Sequence, residues 1–344
     1  MIIDEYRYGL VLFRRNGSAL GSAHVTVDWD PAAEWTSFYH ARRGEAPFCG
    51  EGTASIQPLW DRSEGEPYIR GFRVVCERGG QKAVASDFPS NYFNEVAAQA
   101  AQELVKRGKL EKGEQYLFQA VAYPKNGAAR KADGGLQLNV VEERPAVALA
   151  QTSFEEFRRR ASPAGVVDAD DMPVFLPQHV LDEAAALTRA AEGRETGGIL
   201  IGRLHRDPSL PEIFAEISAQ IPAEHTQGTV AKLTFTAETW SAANAVIRLR
   251  RQSEIFVGYW HSHPVREWCR AKECTPEEQK TCPLARDFFS EEDRAVMRAA
   301  FPRGYSLGLV VNDTSFADLT FSLFGWREGK IHPRGFYLME ERHA

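Results

Sequence analysis

The chain has 344 residues with 41 lysines and arginines against 47 acidic residues, which gives a formal charge of −6 and a pI of about 5.9. This balance argues against a general nucleic-acid binder and against an anionic-membrane binder, because both need a positive surface. A content of 43% hydrophobic and 26% charged residues is typical of a globular protein rather than a disordered one, and the length suffices for two domains.

The first part of the chain predicts a small α+β unit. Strands are expected in YRYGLVLFRR and GEQYLFQAVAYPKNG, and PYIRGFRVVCERGGQKAVASDF is expected to be a hairpin turned at Gly79 and Gly80. The segment SNYFNEVAAQAAQELVKRG has apolar residues at helical spacing. Ser90 or Asn91 can cap this helix, and Gly108 can end it.

A stretch of mixed glycine, alanine and charge, PKNGAARKADGG, predicts a linker or exposed loop at about 124–135. The segment LQLNVVEERPAVALA that follows is predicted as a strand that can belong to either side. Residues 1–150 are therefore expected to form an N-terminal α+β domain, and no chemistry in their sequence indicates its role.

Residues 172–344 predict a mixed sheet flanked by helices. Strands are expected in VFLP, ETGGILIGRLHRD, EIFAEISAQIP, KLTFT, EIFVGYWHSHP, YSLGLVVND, DLTFSLFGWREG and KIHPRGFYLME. Helices are expected in QHVLDEAAALTRAAEG, AETWSAANAVIRLRRQ and SEEDRAVMRAAFP. Because the strands and helices are mixed rather than strictly alternating, the predicted fold class is α+β.

The segment GYWHSHP carries two histidines at the end of a predicted strand. Side chains two residues apart on a strand point the same way, so His261 and His263 share a face, and Pro264 ends the strand. Two imidazoles placed like this can ligate Zn²⁺ if a third ligand comes from elsewhere. Asp293 is the candidate, since it lies in the first turn of a helix that Ser290 can cap.

Each of these features also has a structural explanation when taken alone. Ser-x-x-Asp before an apolar run is the usual capping pattern, a His-x-His on a strand is often structural or exposed, and ETGG can be only a turn. Ser262 points to the opposite strand face and is expected to be structural. The glycines after Glu195 either let a substrate backbone approach or simply form the turn. The joint occurrence of an acid, HSHP and SEED in this order indicates a metal site.

These motifs resemble those of the JAMM (MPN-plus, or JAB) metallopeptidase family, whose pattern is a glutamate, then His-Ser/Thr-His-Pro, then Ser-x-x-Asp. The resemblance covers about Met172 to the C-terminus and implies an MPN-type mixed sheet. One departure concerns the gap between the second and third motifs. The family usually has a short gap there, whereas residues 265–289 separate the motifs in this chain.

The resemblance implies a role for each motif residue. His261, His263 and Asp293 would ligate Zn²⁺, and a water with a pKa lowered toward ~7 would be the fourth ligand. Glu195 would act as the general base on that water and would then pass the proton to the leaving amine. The zinc and the Ser290 hydroxyl would stabilise the tetrahedral oxyanion.

The segment 265–289 contains Cys269, Cys274 and Cys282 in a polar stretch with little apolar content. We expect a long loop, which needs a function or an anchor. The three thiolates could bind a second, structural Zn²⁺ if a fourth ligand comes from elsewhere. Candidates for that ligand are His205, His225 and Cys49. Three free thiols, or one disulfide pair, are the alternatives.

By resemblance, the activity is cleavage after the C-terminal glycine of a ubiquitin-like protein. The extended tail of this substrate is expected to add as a strand at a sheet edge beside Glu195. A bacterial conjugation pathway with activating and conjugating enzymes, of a kind linked to antiphage defence, is the expected context. A peptidase that processes sulfur-carrier proteins is the alternative enzyme, and a non-catalytic MPN-type binding scaffold is the alternative from another class.

The N-terminal sequence MIIDEYRYGLVLFRRNG lacks the basic start and the small-residue cleavage site of a secretory signal. Five cysteines are an odd number, and in a chain without export signals this favours thiols or a metal site over a disulfide framework. No apolar run approaches the ~18 residues that span a bilayer. A cytoplasmic protein without membrane or nucleic-acid partners is therefore expected.

Overall fold

The computed structural model describes residues 1–46, 52–64, 67–77, 83–125, 147–210, 212–223, 235–285, 288–314 and 319–340. The chain divides into two compact units, one of Met1–His40 with Glu45–Pro145 and one of Ala41–Gly44 with Ala146–Ala344. Within the described ranges, no helix is both long and apolar enough to cross a membrane.

The first unit is built on a seven-stranded sheet. The elements that begin in it are β1 (Ile2–Asp4), β2 (Tyr6–Arg14), β3 (Ala19–Val25), α1 (Asp30–Arg42), β4 (Thr53–Trp60), β5 (Tyr68–Glu77), β6 (Val84–Pro89), α2 (Asn94–Lys106) and β7 (Tyr116–Pro124). The strand order is β1-β4-β5-β7-β2-β3, and β6 pairs with β5. Apart from the parallel pair β1 and β4, the strands pair antiparallel.

Aromatic side chains form the core of the first unit. The Trp29 ring packs edge-on against Phe72 at 4.6 Å and against Tyr8 at 4.9 Å between centroids. The Phe72 ring also stacks on Phe88 at 5.0 Å. Burial of an aromatic or large aliphatic side chain contributes about 1.5–3 kcal/mol, so this cluster gives the unit a hydrophobic core of its own.

The predicted cap of α2 is wrong. Ser90 and Asn91 lie in a 3₁₀ turn, Ser90–Phe93, and Phe93 occupies the cap position without a side-chain hydrogen bond. The turn places the Phe93 ring fully inside the core, and that burial outweighs a capping bond of ~1 kcal/mol. Just beyond the other end of α2, Gly108 has a φ of +67°, which suits a glycine that ends a helix.

The second unit is built on a ten-stranded sheet. Its elements are β8 (Leu149–Gln151), α3 (Phe154–Arg158), β9 (Ala161–Ala164), β10 (Val174–Pro177), α4 (Gln178–Ala190), β11 (Gly197–Arg206), β12 (Ile213–Pro222), α5 (Ala237–Arg250), β13 (Ile255–His263), α6 (Val265–Ala271), α7 (Pro276–Lys280), α8 (Glu291–Ala300), β14 (Leu307–Asn312), β15 (Thr320–Arg327), β16 (Lys330–Arg334) and β17 (Phe336–Met339). The strand order is β16-β15-β14-β13-β11-β12-β10-β17-β9, and β8 pairs with β11. The predicted fold class, α+β with a mixed sheet flanked by helices after a smaller α+β part, is confirmed. The unit includes β8 and β9 and so begins before Met172.

The central strands of this sheet are buried along their length and position the candidate site. Strand β13 runs antiparallel to β11 and parallel to β14. A side chain at Gly258 could not fit, because its Cβ would lie 2.0 Å from the Leu307 carbonyl oxygen. The register places His261 beside Gly197. The carboxyl end of β13 therefore lies next to the start of β11, where Glu195 precedes the strand.

Two strand predictions in this unit differ from the structure at described residues. KIHPRGFYLME forms two strands separated at Gly335, whose N–H donates to the Val166 carbonyl at 2.8 Å. A Cβ at Gly335 would lie 2.6 Å from that same oxygen. The backbone at Val166 therefore packs against the chain between the two strands. The described end of KLTFT is not a strand. Instead, the Thr236 hydroxyl caps α5 by accepting from the Thr239 N–H at 3.4 Å.

The insertion 265–289 is not the open loop that was predicted. It contains α6, α7 and a 3₁₀ turn at Pro283–Ala285. Helix α7 begins at a complete capping box between Thr275 and Glu278. This pattern indicates a helix start, but the low apolar content of the segment favoured the prediction of a loop. Several other predictions fall outside the described residues: the turn at Gly79 and Gly80, the linker from 126 onward, the strand LQLNVVEERPAVALA before Val147, the start of KLTFT, and both Cys49 and His225.

Candidate metal centre

Three potential metal ligands meet at the end of β13. The Nε2 atoms of His261 and His263 lie 3.0 Å apart. Asp293, in the first turn of α8, places Oδ1 3.0 Å from the His261 Nε2 and Oδ2 3.5 Å from the His263 Nε2. Both imidazoles are only 2% exposed. Among the described residues, this is the group of three whose ligand atoms all lie within 4.8 Å of one another.

The spacing of these atoms fits a tetrahedral zinc ion. Ligand atoms about 2.0–2.1 Å from zinc at tetrahedral angles lie about 3.3–3.4 Å from one another, and the measured distances run from 3.0 to 3.5 Å. A buried set of two imidazoles and one carboxylate is also a donor set that zinc prefers. The residues therefore fit Zn²⁺, and three protein ligands leave a fourth position for water or substrate.

The electrostatics favour the ligating forms of these side chains. Burial lowers the pKa of His263, and this effect is only partly opposed by its hydrogen bond to Asp293. Burial acts to raise the pKa of Asp293, but the charge of His261 and hydrogen bonds from both histidines bring it well below its usual range. A neutral imidazole and an ionised carboxylate are the states that bind a metal ion.

The carboxylate of Asp293 is both a candidate metal ligand and part of the capping box of α8. The Ser290 Oγ accepts from the Asp293 N–H at 3.0 Å, and the Asp293 Oδ2 accepts from the Ser290 N–H at 2.7 Å. The Tyr259 hydroxyl donates to the Asp293 carbonyl at 3.1 Å, and its ring stacks on His261 at 5.4 Å. The carboxylate is therefore held before any ion binds. The hydroxyl hydrogen of Ser290 is not used by the cap and can be donated to a bound group.

Glu195 lies two residues before β11, and its surroundings bring it to the same site. The neighbouring Thr196 is fixed to Ser262 by two bonds, Thr196 N–H to Ser262 Oγ at 3.0 Å and Ser262 N–H to Thr196 O at 2.8 Å. Burial raises the pKa of Glu195 to about 7, with His261 opposing the shift and Asp293 adding to it. A carboxyl with this pKa can both accept and release a proton near neutral pH.

The absence of a side chain at Gly198 lets neighbouring groups of the protein itself pack closely against the strand. A Cβ at this position would lie 2.5 Å from the Ile221 carbonyl oxygen and 2.6 Å from the Trp260 Nε1. The Trp260 N–H in turn donates to the Gln220 side chain at 3.0 Å. Strand packing therefore explains this glycine without a substrate backbone.

Among the described strands, the sheet edge that was expected beside Glu195 is not found. Strand β11 pairs with β12 on one side, and with β13 and β8 in turn on the other. Strand β13 likewise lies between β11 and β14. The described strands next to the site therefore offer no free edge to an added strand.

The insertion contributes part of the surroundings of the metal ligands. Near its start, the Trp268 ring lies 5.1 Å from His263, and at its end Phe288 lies 5.5 Å from the same imidazole. Phe289 lies 6.1 Å from His261. The Phe-Phe pair directly before SEED is visible in the sequence. It could not be assigned to the surroundings of the histidines without knowing that the end of the insertion lies beside them.

A polar cleft is lined by residues that lie close in sequence to Glu195 and His263. It is lined by the end of α4 and the start of α6, through residues that include Arg189, Gly193, Arg266 and Asp313. Arg266 donates to the Asp313 carboxylate at 2.9 Å. The backbone N–H of Asp313 donates to the His263 carbonyl at 2.9 Å, which ties the cleft to the ligand strand.

Sequence reasoning missed Asn312, for which no motif is visible. This residue lies opposite His263 in the register of β13 and β14 and is fully buried. The His263 Nδ1 and Asn312 Oδ1 atoms are both buried, and neither has a partner at full hydrogen-bond distance. Burial lowers the pKa of His263, and the nearby Asn312 side chain acts against that shift. Asn312 is thus placed to orient the imidazole, as carbonyls and carboxylates do behind many metal-bound histidines.

We expect Asn312→Ala to weaken metal binding by about 10–100-fold, the usual effect of removing such an orienting partner. Competition with a chelator measures the affinity, and circular dichroism checks the fold. Ser322→Ala is the matched control, because it removes the acceptor of the Asn312 Nδ2 at 3.4 Å without touching His263. Equal affinities for Asn312→Ala and the unaltered protein would show that Asn312 does not position His263.

The cysteines predicted as ligands of a second zinc ion all lie in the insertion. Cys269 is buried, Cys274 and Cys282 are half-buried, and all three are free thiols. His205 is unsuitable as their fourth ligand. Its Nε2 lies 2.9 Å from Glu216 and its Nδ1 lies 3.1 Å from Thr152.

One comparison with known proteins bears on this part of the chain. Residues 177–267 match the family model for prokaryotic homologs of the JAB domain. The matched stretch contains Glu195 and both histidines and ends inside the insertion, before Ser290 and Asp293. The match supports a JAB/MPN-type domain, and the placement of Asp293 rests on the geometry described above.

No curated protein matches the chain significantly. Among solved structures, the chain is similar to the solution structure of protein DSY2949 from Desulfitobacterium hafniense, with 20% sequence identity and a TM-score of 0.33. That similarity covers 49% of this chain and 95% of the other.

Proposed function

We propose that the protein is a zinc-dependent peptidase that cleaves after the C-terminal glycine of a ubiquitin-like protein. The observation that carries this proposal is the convergence of His261, His263 and Asp293 beside a half-buried Glu195. A scaffold without catalysis needs neither the three ligands nor a carboxyl with a pKa near 7. The complete set therefore favours an enzyme over the binding-scaffold alternative.

The chemistry follows from the positions of the side chains. When bound by His261, His263 and Asp293, Zn²⁺ supplies Lewis acidity and lowers the pKa of a water molecule. The Glu195 carboxylate takes one proton from the attacking water and delivers it to the nitrogen that leaves as an amine. The Ser290 hydroxyl donates a hydrogen bond to the carbonyl oxygen as negative charge develops there. Water adds to the carbonyl carbon, the C–N bond breaks, and the products are a carboxylate and an amine.

The proposed substrate rests on the resemblance of the motifs to the JAMM family and on the prokaryotic JAB match. We place the reaction in the bacterial cytoplasm, in a pathway that attaches a ubiquitin-like protein through activating and conjugating enzymes and that serves antiphage defence. Processing of a sulfur-carrier protein remains the second candidate, because such carriers also end in a C-terminal glycine. The two differ in whether the bond cleaved joins the glycine to a lysine side chain.

Cleavage of defined fusions tests the substrate. A ubiquitin-like protein ending in Gly-Gly, joined to a reporter through an α-peptide bond or through a lysine isopeptide bond, should be cut after the last glycine. The same fusion with that glycine changed to valine is the matched control and should be cut far more slowly. Mass spectrometry locates the cut. Efficient digestion of unfolded casein, or failure to cut either fusion by protein that holds its zinc, would contradict the proposal.

A further inference from the structure

The segment that carries Glu195 joins the end of α4 to the start of β11. It passes through two consecutive residues with positive φ, Glu192 at 49° and Gly193 at 81°. The Arg194 N–H donates back to the Ala191 carbonyl at 3.1 Å. The chain therefore makes a tight turn directly before Glu195, and a glycine tolerates the positive φ of this turn without steric cost.

The side chain of Glu267, in the first turn of α6, packs on this turn. A Cβ built on Gly193 would lie 2.6 Å from the Glu267 Cγ and 3.2 Å from its Cδ. Carbon atoms in ordinary contact are about 3.5–4.0 Å apart, so the stem of Glu267 lies directly against the Gly193 backbone. The Glu267 side chain is 23% exposed and forms an ion pair with Arg270, one turn further along α6. This contact joins the insertion to the turn before Glu195.

Helix α6 is fixed to the ends of two strands at the site. Pro264 follows β13, and the Glu267 N–H donates to its carbonyl at 3.0 Å. Asp313 follows β14, and its carbonyl accepts from the Arg266 N–H at 2.9 Å. The Arg266 guanidinium also donates to the Asp313 carboxylate at 2.9 Å. Glu267 therefore projects from a helix start that is tied to both β13 and β14.

The segment is also held after Glu195. The Thr196 N–H donates to the Ser262 hydroxyl, and the Ser262 N–H donates to the Thr196 carbonyl. Gly193 on one side and Thr196 on the other are thus both fixed by other parts of the unit, and Glu195 lies between them. The direction of its carboxyl depends on both contacts. A displacement of about 1 Å at a reacting group can lower a rate by about 100-fold.

We propose that Glu267 is a positioning residue for Glu195, because its side chain holds the Gly193 turn and thereby directs the Glu195 carboxyl toward the attacking water. This inference rests on the proposed function, in which Glu195 moves the proton. It gives the insertion a part in the reaction. Helix α6 contacts the turn before the general base through Glu267, and it contacts the ligand His263 through the ring of Trp268.

Steady-state kinetics on the ubiquitin-like fusion test the effect on the reaction. Glu267→Ala should lower kcat by about 10–100-fold, with KM within about twofold and zinc content unchanged, because the turn moves while the ligands stay. Glu267→Gln keeps the length of the stem and can still accept from Arg270, so its kcat should stay near that of the unaltered protein. Glu277→Ala is the matched control, because this glutamate lies exposed on α7 of the same insertion, and it should change neither constant.

A double-mutant cycle separates the contact from the φ of the turn. Gly193→Ala adds a Cβ that meets the Glu267 stem, and it also strains the backbone at a φ of 81°. In the Glu267→Ala background the backbone strain remains, but the stem is gone. Gly193→Ala should therefore lower kcat by a smaller factor in that background than in the unaltered protein. Equal factors in the two backgrounds would contradict the proposal.

Hydrogen exchange of backbone amides tests the packing without a substrate. The Arg194 and Thr196 N–H groups should exchange at least about tenfold faster in Glu267→Ala than in the unaltered protein, because the turn opens more often. Amides of β14 should keep their rates, which shows that the unit remains folded. Unchanged exchange at Arg194 and Thr196, or faster exchange with an unaltered kcat, would overturn the proposal. If the unaltered protein cleaves no fusion, the proposed function fails, and the exchange rates still decide whether Glu267 holds the turn.

Discussion

Glu195→Gln is expected to lower kcat/KM on a ubiquitin-like fusion by about 10³-fold or more, because one carboxyl performs both proton transfers. Glutamine keeps the size of the side chain but cannot accept a proton. Since Glu195 is not one of the three convergent ligands, zinc content and thermal stability should stay close to those of the unaltered protein. Turnover and metal analysis on the same preparation measure both effects.

Glu155→Gln is the matched control for this change. Glu155 lies exposed on α3 in the same unit and is remote in sequence from the site motifs, so the variant should keep full activity. A Glu195→Gln protein that retains its zinc and cleaves at the unaltered rate would refute the general-base assignment. Loss of zinc in this variant would instead indicate that Glu195 is a ligand.

Asp293→Ala is expected to remove the zinc of the histidine site and, with it, the activity. The change deletes one of three ligands, so the affinity should fall by more than the ~100-fold that an orienting partner provides. It also removes the acceptor of the Ser290 N–H, one of the two reciprocal hydrogen bonds of the α8 capping box, so the helix start should lose stability. Zinc analysis together with thermal unfolding of the metal-free form separates the loss of the ligand from the loss of the cap.

Ser290→Ala serves as the control for the cap in that experiment. It deletes the hydroxyl that accepts from the Asp293 N–H but leaves all three ligands, so it should lose stability and keep its zinc. The interpretation of Asp293 as a metal ligand fails if Asp293→Ala loses no more zinc than Ser290→Ala does.

The convergence of His261, His263 and Asp293 could be predicted from the sequence because each part depends on local geometry. The two-residue period of a strand puts His261 and His263 on one face. The capping pattern places Asp293 in the first turn of α8 whatever the length of the insertion before it. Pairing between distant segments then only had to bring the end of β13, the start of β11 and the start of α8 together. The order of the motifs along the chain indicated that they meet.

Features that depend on pairing between distant segments could not be predicted in the same way. Asn312 meets His263 only because β14 runs parallel to β13 in a particular register. The pairing of β11 on both of its sides depends likewise on the described strands β8, β12 and β13. Helix α1 was missed because its buried face includes the polar Thr36 and Arg42, which obscures the apolar period that identifies a helix.

The most direct test of the candidate metal centre is a crystal structure of the zinc-loaded protein with diffraction data collected at the zinc absorption edge. We predict an anomalous peak about 2.0–2.2 Å from the Nε2 atoms of His261 and His263 and from a carboxylate oxygen of Asp293. Glu195 should lie within hydrogen-bond reach of the fourth ligand. A zinc-loaded crystal with no peak among these three side chains, or with the ion held by other residues, would contradict the account.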